Sequence, residues 1–302
     1  VLDGIREIAG SAKVNYYDYG DDVRQNSMDK VNEAAAIAKK SDLAIVVVGE
    51  NPLRYQKSKT CGENIDRMGL DLLGTQNQLV QKIHETGVPT IVVLVGGRPL
   101  SVNWIAQNVQ ALVQAWEPGS LGGRALANIL AGKVNPSAKL PISIPRHSGQ
   151  IQMIYNHKPS QYFHKYIDGP STPLYPFGFG LSYTRFAYSS LKLSHTRISD
   201  KDSFTASIEL TNVGDREGTE VVQLYIRDIY SSATRPVKEL KDFARVTLKP
   251  GEKKTVTFTV TPDKLAYWNR NMQYGVEKGE FEIMIGSSSQ DKDLKKVKME
   301  VL

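Results

Sequence analysis

The sequence contains a single cysteine, Cys61, among 302 residues. One thiol excludes an internal disulfide framework and leaves the redox compartment open. No window reaches the roughly 18–20 continuous apolar residues of a membrane-spanning helix, so no membrane partner is expected. Neither GxGxxG nor GxxxxGKS/T occurs, which removes the usual glycine-rich phosphate cradle. His147, His157 and His164 have no Cys or HxxxH partner at metal-ligand spacing, so no metal and no other cofactor is expected. A local excess of one charge is also missing. Residues 1–182 hold 18 Lys/Arg against 15 Asp/Glu and residues 183–302 hold 20 against 17, so the net +6 divides as +3 and +3. Lys292, Lys295, Lys296 and Lys298 alternate with Asp291, Asp293 and Glu300. That pattern reads as a solvated strand face, and no nucleic-acid partner is expected. Internal repeats and low-complexity tracts are absent.

What is present has two rhythms. The length suffices for two cores, and 40% hydrophobic with 23% charged residues is ordinary globular composition. In the first part, residues 28–40 put Val31, Ala34, Ala35 and Ala38 on one helical face. A β-branched run follows at residues 43–49, of the kind that parallel sheets bury. A second helix over 75–86, with Leu79, Val80 and Ile83 at helical spacing, leads to another such run at 90–97. A shorter run at 111–116 precedes a helix ending near Gly132. Alternating strand and helix predicts a doubly wound, mainly parallel α/β sandwich over residues 1–145.

From about Thr184 the period falls to two. Segments such as SFTASIELTNV and GEFEIMIG alternate apolar and polar residues between turn signals. They predict an immunoglobulin- or fibronectin III-like β-sandwich over residues 184–302, with tight turns at 212–215 and at Pro250-Gly251. Residues 146–183 are rich in Pro, Gly, Tyr and His. Their aromatics mark an ordered connector rather than a polar, flexible linker.

Parallel α/β sheets gather ligands at the carboxyl ends of their strands. Two such ends are Gly49-Glu50-Asn51-Pro52 and Gly96-Gly97-Arg98-Pro99. The first opens a long segment, residues 51–74, that carries Glu63, Asp66 and Arg67; loops of this length are often functional. A Glu on such a loop has the chemistry of a proton donor and acceptor for glycoside cleavage. The residues alone leave three alternatives: Glu63, its rival Glu50, or a solvated loop.

Longer strings narrow this. YPFGFGLSYTRF at 175–186, GGRPLSVNW at 96–104 and the tract at 114–145 resemble glycoside hydrolase family three. RPVKELKDFARVTLKPGE at 235–252 and GEFEIMIGSSS at 279–289 resemble its terminal sandwich. The resemblance implies a β/α barrel, then an α/β sandwich, then a fibronectin-like domain. It further implies that GENIDRMGLDLLGTQ at 62–76 carries the acid/base, Glu63, with Arg67 orienting it or contacting substrate. Glu50 is then a turn-stabilising or substrate-contacting residue.

The family nucleophile is an Asp on a late barrel strand. Asp42 here precedes its strand and reads as a turn residue, so no nucleophile is expected in this chain. The start, VLDGIREIAG, reads as the middle of a domain, with further chain expected upstream. The implied function is therefore the carboxyl-terminal part of a retaining, exo-acting β-glycosidase, foremost a β-glucosidase, inert without its N-terminal barrel. A β-linked oligosaccharide or glucoside is the expected substrate. Exposed apolar surface meant for the barrel makes a homo-oligomer possible. Family analogy implies a periplasmic or secreted location. The alternative function is a non-catalytic carbohydrate- or partner-binding module.

Overall fold

The structure is a computed structural model that describes residues 1–20, 22–51, 58–150, 153–159 and 166–302. It divides into two compact units. The first comprises Val1–Val134 and Pro145–Ile151, and the second Asn135–Ile144 and Gln152–Leu302.

The first unit opens with α1 (Leu2–Ile8) and α2 (Met28–Ala38), followed by β1 (Ala44–Gly49) and α3 (Gln76–His84). It continues through β2 (Thr90–Val95), α4 (Asn103–Asn108), β3 (Ala111–Trp116) and α5 (Gly122–Leu130). The strands form a parallel sheet in the order β1-β2-β3. Neighbouring residues Val92 and Val93 of β2 point to opposite faces, and both are fully buried. The central strand is therefore covered on both sides, which explains its unbroken apolar run. Helix α2 buries Val31, Ala34, Ala35 and Ala38, and α3 buries Leu79, Val80 and Ile83, the faces that their spacing predicts. The two helices pack together, as do α1 and α5.

The second unit contains β4 (Phe186–Tyr188), β5 (Lys192–Leu193), β6 (Arg197–Ile198), β7 (Phe204–Asn212) and β8 (Gly218–Asp228). Then come β9 (Glu239–Leu248), β10 (Lys253–Val260), the short helix α6 (Pro262–Leu265), β11 (Tyr267–Trp268), β12 (Tyr274–Gly275), β13 (Gly279–Gly286) and β14 (Leu294–Val301). One sheet runs β10-β7-β4, with β5 also on β7; the other runs β6-β14-β13-β8-β9. Phe204, Ala206, Ile208 and Leu210 of one sheet join Val222, Leu224, Ile226, Phe281, Ile283 and Ile285 of the other in a single core. This is the fibronectin-like sandwich that the two-residue alternation predicts.

The boundary between the units differs from a division at 145 and 183. Residues 135–144 run with the second unit because their polar groups are satisfied there. Asn135 Nδ2 donates to the Glu217 carbonyl, and its Oδ1 accepts from Ser182 Oγ and the Tyr183 amide. Leu140 and Gly178 exchange backbone hydrogen bonds with Phe179 and Leu140. Aromatics of the expected connector cover the outer face of β8 and β13: Tyr155 stacks on Phe177 and meets Tyr225 edge-on. Gly178 is required here. Its φ is +77°, and a Cβ would fall 2.1 Å from Gln223 Oε1. Residues 145–151 belong to the first unit, where the Pro145 and Arg146 carbonyls accept from Ser101 Oγ and Asn103 Nδ2.

Asp228, at the end of β8, is a built-in weak point. Burial raises its carboxyl to about 6, against the opposing pull of Arg235, and among the described residues Oδ2 has no hydrogen-bond partner. A folded-state value above the unfolded one means that the folded state binds more protons between about pH 4 and 6. Stability should fall as pH rises through that window, and the penalty should remain above it. Asp228→Asn is expected to stabilise the second unit by about 1 kcal/mol above pH 6, after discounting for partial exposure. Urea unfolding at pH 4 and pH 7.5 tests this; an equal effect at both values would refute it.

Candidate active site

Two strand ends meet at the carboxyl edge of the parallel sheet. Gly49, with φ +145°, closes β1 so tightly against β2 that a Cβ would lie 1.8 Å from the Val95 carbonyl oxygen. No side chain fits there, and Glu50 follows at once. The Glu50 amide continues the ladder by donating to the Val95 carbonyl. At the other edge the register slips between Leu94 and Val95, so that Val95 pairs with Trp116. Trp116 takes φ +53°, a costly conformation for a bulky residue. Trp116, like Trp104, is only half-buried.

The segment after β1 is tied at its ends and along its length. The Asn51 amide donates to Thr60 Oγ1, while the Thr60 amide donates to the Asn51 carbonyl, forming a neck. At the far end Gln76, 2% exposed, exchanges hydrogen bonds with both peptide groups of Gly49. Gln76 Nε2 also donates to the Leu73 carbonyl. Part of the notable loop, residues 52–57, lies outside the described residues, as does His164 of the connector.

Within this loop the Ile65 amide donates to the Gly62 carbonyl, closing a four-residue turn. Asn64 has φ +64°, the left-handed conformation that Asn tolerates better than most residues. Glu63 therefore occupies the outer corner of a tight turn, exposed to solvent. Its own carbonyl accepts from Lys59 Nζ, and Lys59 is buried.

Glu50 and Arg67, the other two expected site residues, are brought together. Arg67 NH1 lies 2.6 Å from Glu50 Oε1, with side chains 10% and 1% exposed. Arg67 NH2 also donates to the Asp71 carbonyl. Arg98 completes the group: Nε is 3.0 Å from Glu50 Oε2, and NH2 is 3.0 Å from Asp66 Oδ1. The Arg98–Glu50 approach is an ion pair rather than an aligned hydrogen bond. Asp66 is held below its usual carboxylate range, first by the Arg67 amide and then by Arg98. Sequence reading passed over Arg98 as part of a turn, and Lys59 altogether. The GRP string was the one signal for Arg98; nothing in the sequence marks Lys59 as buried.

Asp42 is exposed in the bend before β1, at the amino end of the sheet and not at the edge that holds Glu50. His147 Nδ1 accepts from the Gly149 amide. Among the described residues, no group of three or more His, Cys, Asp or Glu could hold a metal ion. No helix among them is long and apolar enough to cross a membrane.

The loop thus carries an exposed Glu on a tight turn and is tied to a buried ion cluster at the sheet edge. Residues 1–183 match the Glycosyl hydrolase family 3 C-terminal domain, and residues 220–289 match the Fibronectin type III-like domain. A Beta-xylosidase of Formosa agariphila is 45% identical over all of this chain and 41% of its own length. The Periplasmic beta-glucosidase of Salmonella typhimurium is 41% identical over 86% of this chain and 34% of its own. The crystal structure of a beta-glucosidase from Listeria innocua in complex with glucose superposes with a TM-score of 0.89 at 32% identity, covering 100% of this chain and 42% of that one. The chain thus spans between 34% and 42% of the length of these relatives. With its α/β and fibronectin-like units both matched, the chain belongs to glycosyl hydrolase family 3 and corresponds to the C-terminal part of its β-glucosidase- and β-xylosidase-like members.

Proposed function

We propose that this chain supplies the general acid/base of a retaining, exo-acting β-glycosidase that removes terminal β-linked glucosyl residues from an oligosaccharide or glucoside. The observation that carries this reading is Glu63, exposed on a tight turn of a loop anchored at the ligand-gathering edge of the sheet. In the first step its carboxyl gives a proton to the departing glycosidic oxygen. In the second its carboxylate takes a proton from water. A retaining pair needs a second carboxylate about 5–5.5 Å away. That nucleophile comes from a barrel domain N-terminal to these residues, so the 302-residue chain is inert by itself. Arg67 orients the Glu63 segment from below, and Glu50 supports Arg67.

The names of the relatives support a β-glycoside and divide between glucose and xylose. The name of one supports a periplasmic setting, and a periplasmic or secreted location is proposed here. Ile65 and Met68, 41% and 99% exposed beside Glu63, are apolar surface suited to the barrel or to a second copy. The test compares the chain alone with a version joined to an N-terminal barrel, on aryl β-glucoside and aryl β-xyloside. Turnover in the joined form only is the expected result. Turnover by the chain alone, or by neither form, would sink the reading.

A further inference from the structure

We propose that Glu50 and Arg98 form a buried clamp that holds the Glu63 turn, which makes both of them positioning residues. The catalytic consequence rests on Glu63 being the acid/base; the clamp itself does not. Glu50 leaves the end of β1, Arg98 leaves the end of β2, and Asp66 and Arg67 belong to the loop. Four side chains therefore tie the loop to two adjacent strands. Glu50 is the centre. Its carboxylate is 1% exposed and faces a guanidinium on each oxygen, at 2.6 Å and 3.0 Å. A charge that deep is tolerable only while it is paired, so the loop residue Arg67 is held in place by the cost of leaving Glu50 alone. Arg98 also reaches the loop at its surface, through Asp66, three residues beyond Glu63 and 90% exposed. Lys59 holds the turn from the other side through the Glu63 carbonyl. Geometry of this kind, a reacting group on a loop with buried ionic supports, is how a loop keeps a proton donor within tenths of an ångström.

Cys61 provides the readout. It is the sole cysteine, 4% exposed, and lies between the Lys59 contact and the Glu63 turn. Burial raises its thiol pKa first, and the Glu50 charge raises it further, while Arg98 lowers it. A thiol reagent therefore labels it slowly unless the loop opens.

The decisive variant is Arg98→Gln in the 302-residue chain. Removing a cation disfavours the thiolate and by itself slows labelling. A released loop should nonetheless speed Ellman's-reagent labelling by at least about tenfold under native conditions. Val31→Ala, which weakens the same unit away from the loop, should leave the rate near wild type. Arg98→Lys, retaining charge without the fork, should fall between and serves if Arg98→Gln loses its thermal transition. Labelling as slow as wild type in a folded Arg98 variant overturns the clamp. In the barrel-joined enzyme, Arg98→Gln should lower kcat/KM for a poor leaving group at least about tenfold more than for a dinitrophenyl glycoside, which needs no proton. If Glu63→Gln shows no such dependence, the acid/base reading fails while faster labelling still upholds the clamp. If Glu63→Gln shows it and Arg98→Gln does not, the positioning role fails.

Discussion

Glu63→Gln in the barrel-joined enzyme is expected to lower kcat/KM for alkyl β-glucosides by about 10²–10⁴-fold, the usual worth of a general acid. The same change should hardly affect kcat/KM for a dinitrophenyl glucoside. That aglycone leaves as a stable anion and needs no proton, and kcat/KM reports only events through its departure. Steady-state turnover of the activated substrate should still collapse, because water attacking the glycosyl-enzyme has lost its base. A burst of dinitrophenolate should therefore precede a slow phase. Azide, a nucleophile with no proton to lose, should accelerate that slow phase and yield a glycosyl azide of retained configuration. Equal losses on both substrates, without azide rescue, would remove Glu63 from the acid/base role. The side chain is exposed in this chain, yet a general acid works where water is excluded and the neutral carboxyl is favoured. Under the proposed function, assembly with a barrel and a sugar would supply that exclusion.

The largest expected stability loss lies in the other unit. Asn212, fully buried at the end of β7, uses both ends of its amide. Its Oδ1 accepts from Thr184 Oγ1 at 2.6 Å and from the Gly214 amide at 3.1 Å. Its Nδ2 donates to the Arg216 and Leu248 carbonyls at 2.7 and 2.9 Å. One side chain thus closes the turn into β8 and pins the ends of β4 and β9. Asn212→Ala orphans all four partners, and is expected to destabilise the second unit by about 3 kcal/mol. At about 2–4 °C per kcal/mol for a unit of this size, the corresponding transition should fall by roughly 6–12 °C. Val213→Ala, one residue along and half exposed, should stay within about 0.5 kcal/mol of wild type. A melt in which the two variants behave alike would refute the network argument.

The two halves differ in how much of this was legible beforehand. Helical spacing in residues 28–38 and 76–84 and the two-residue alternation after Thr184 placed apolar faces correctly, because burial of a periodic face is a local constraint. The turn at 212–215 was legible from residue types, but the reach of Asn212 to Leu248, 36 residues away, was not. Residues 135–144 illustrate the same limit. A division at 145 placed them in the α/β unit, whereas Asn135, Lys139 and Leu140 find their partners in the second unit.

For the candidate site, the sequence by itself determined the family, the loop that bears Glu63 and the two strand ends that carry Glu50 and Arg98. Those rest on order and spacing along the chain. Only the tertiary structure decided that Glu50 is sealed from solvent, that Arg98 and Lys59 belong to the same assembly, and that Glu63 projects from a tight turn. Each depends on two strand ends converging at one sheet edge, where a charge loses its water and must find a partner in space. Spacing along a chain does not record which partner that is.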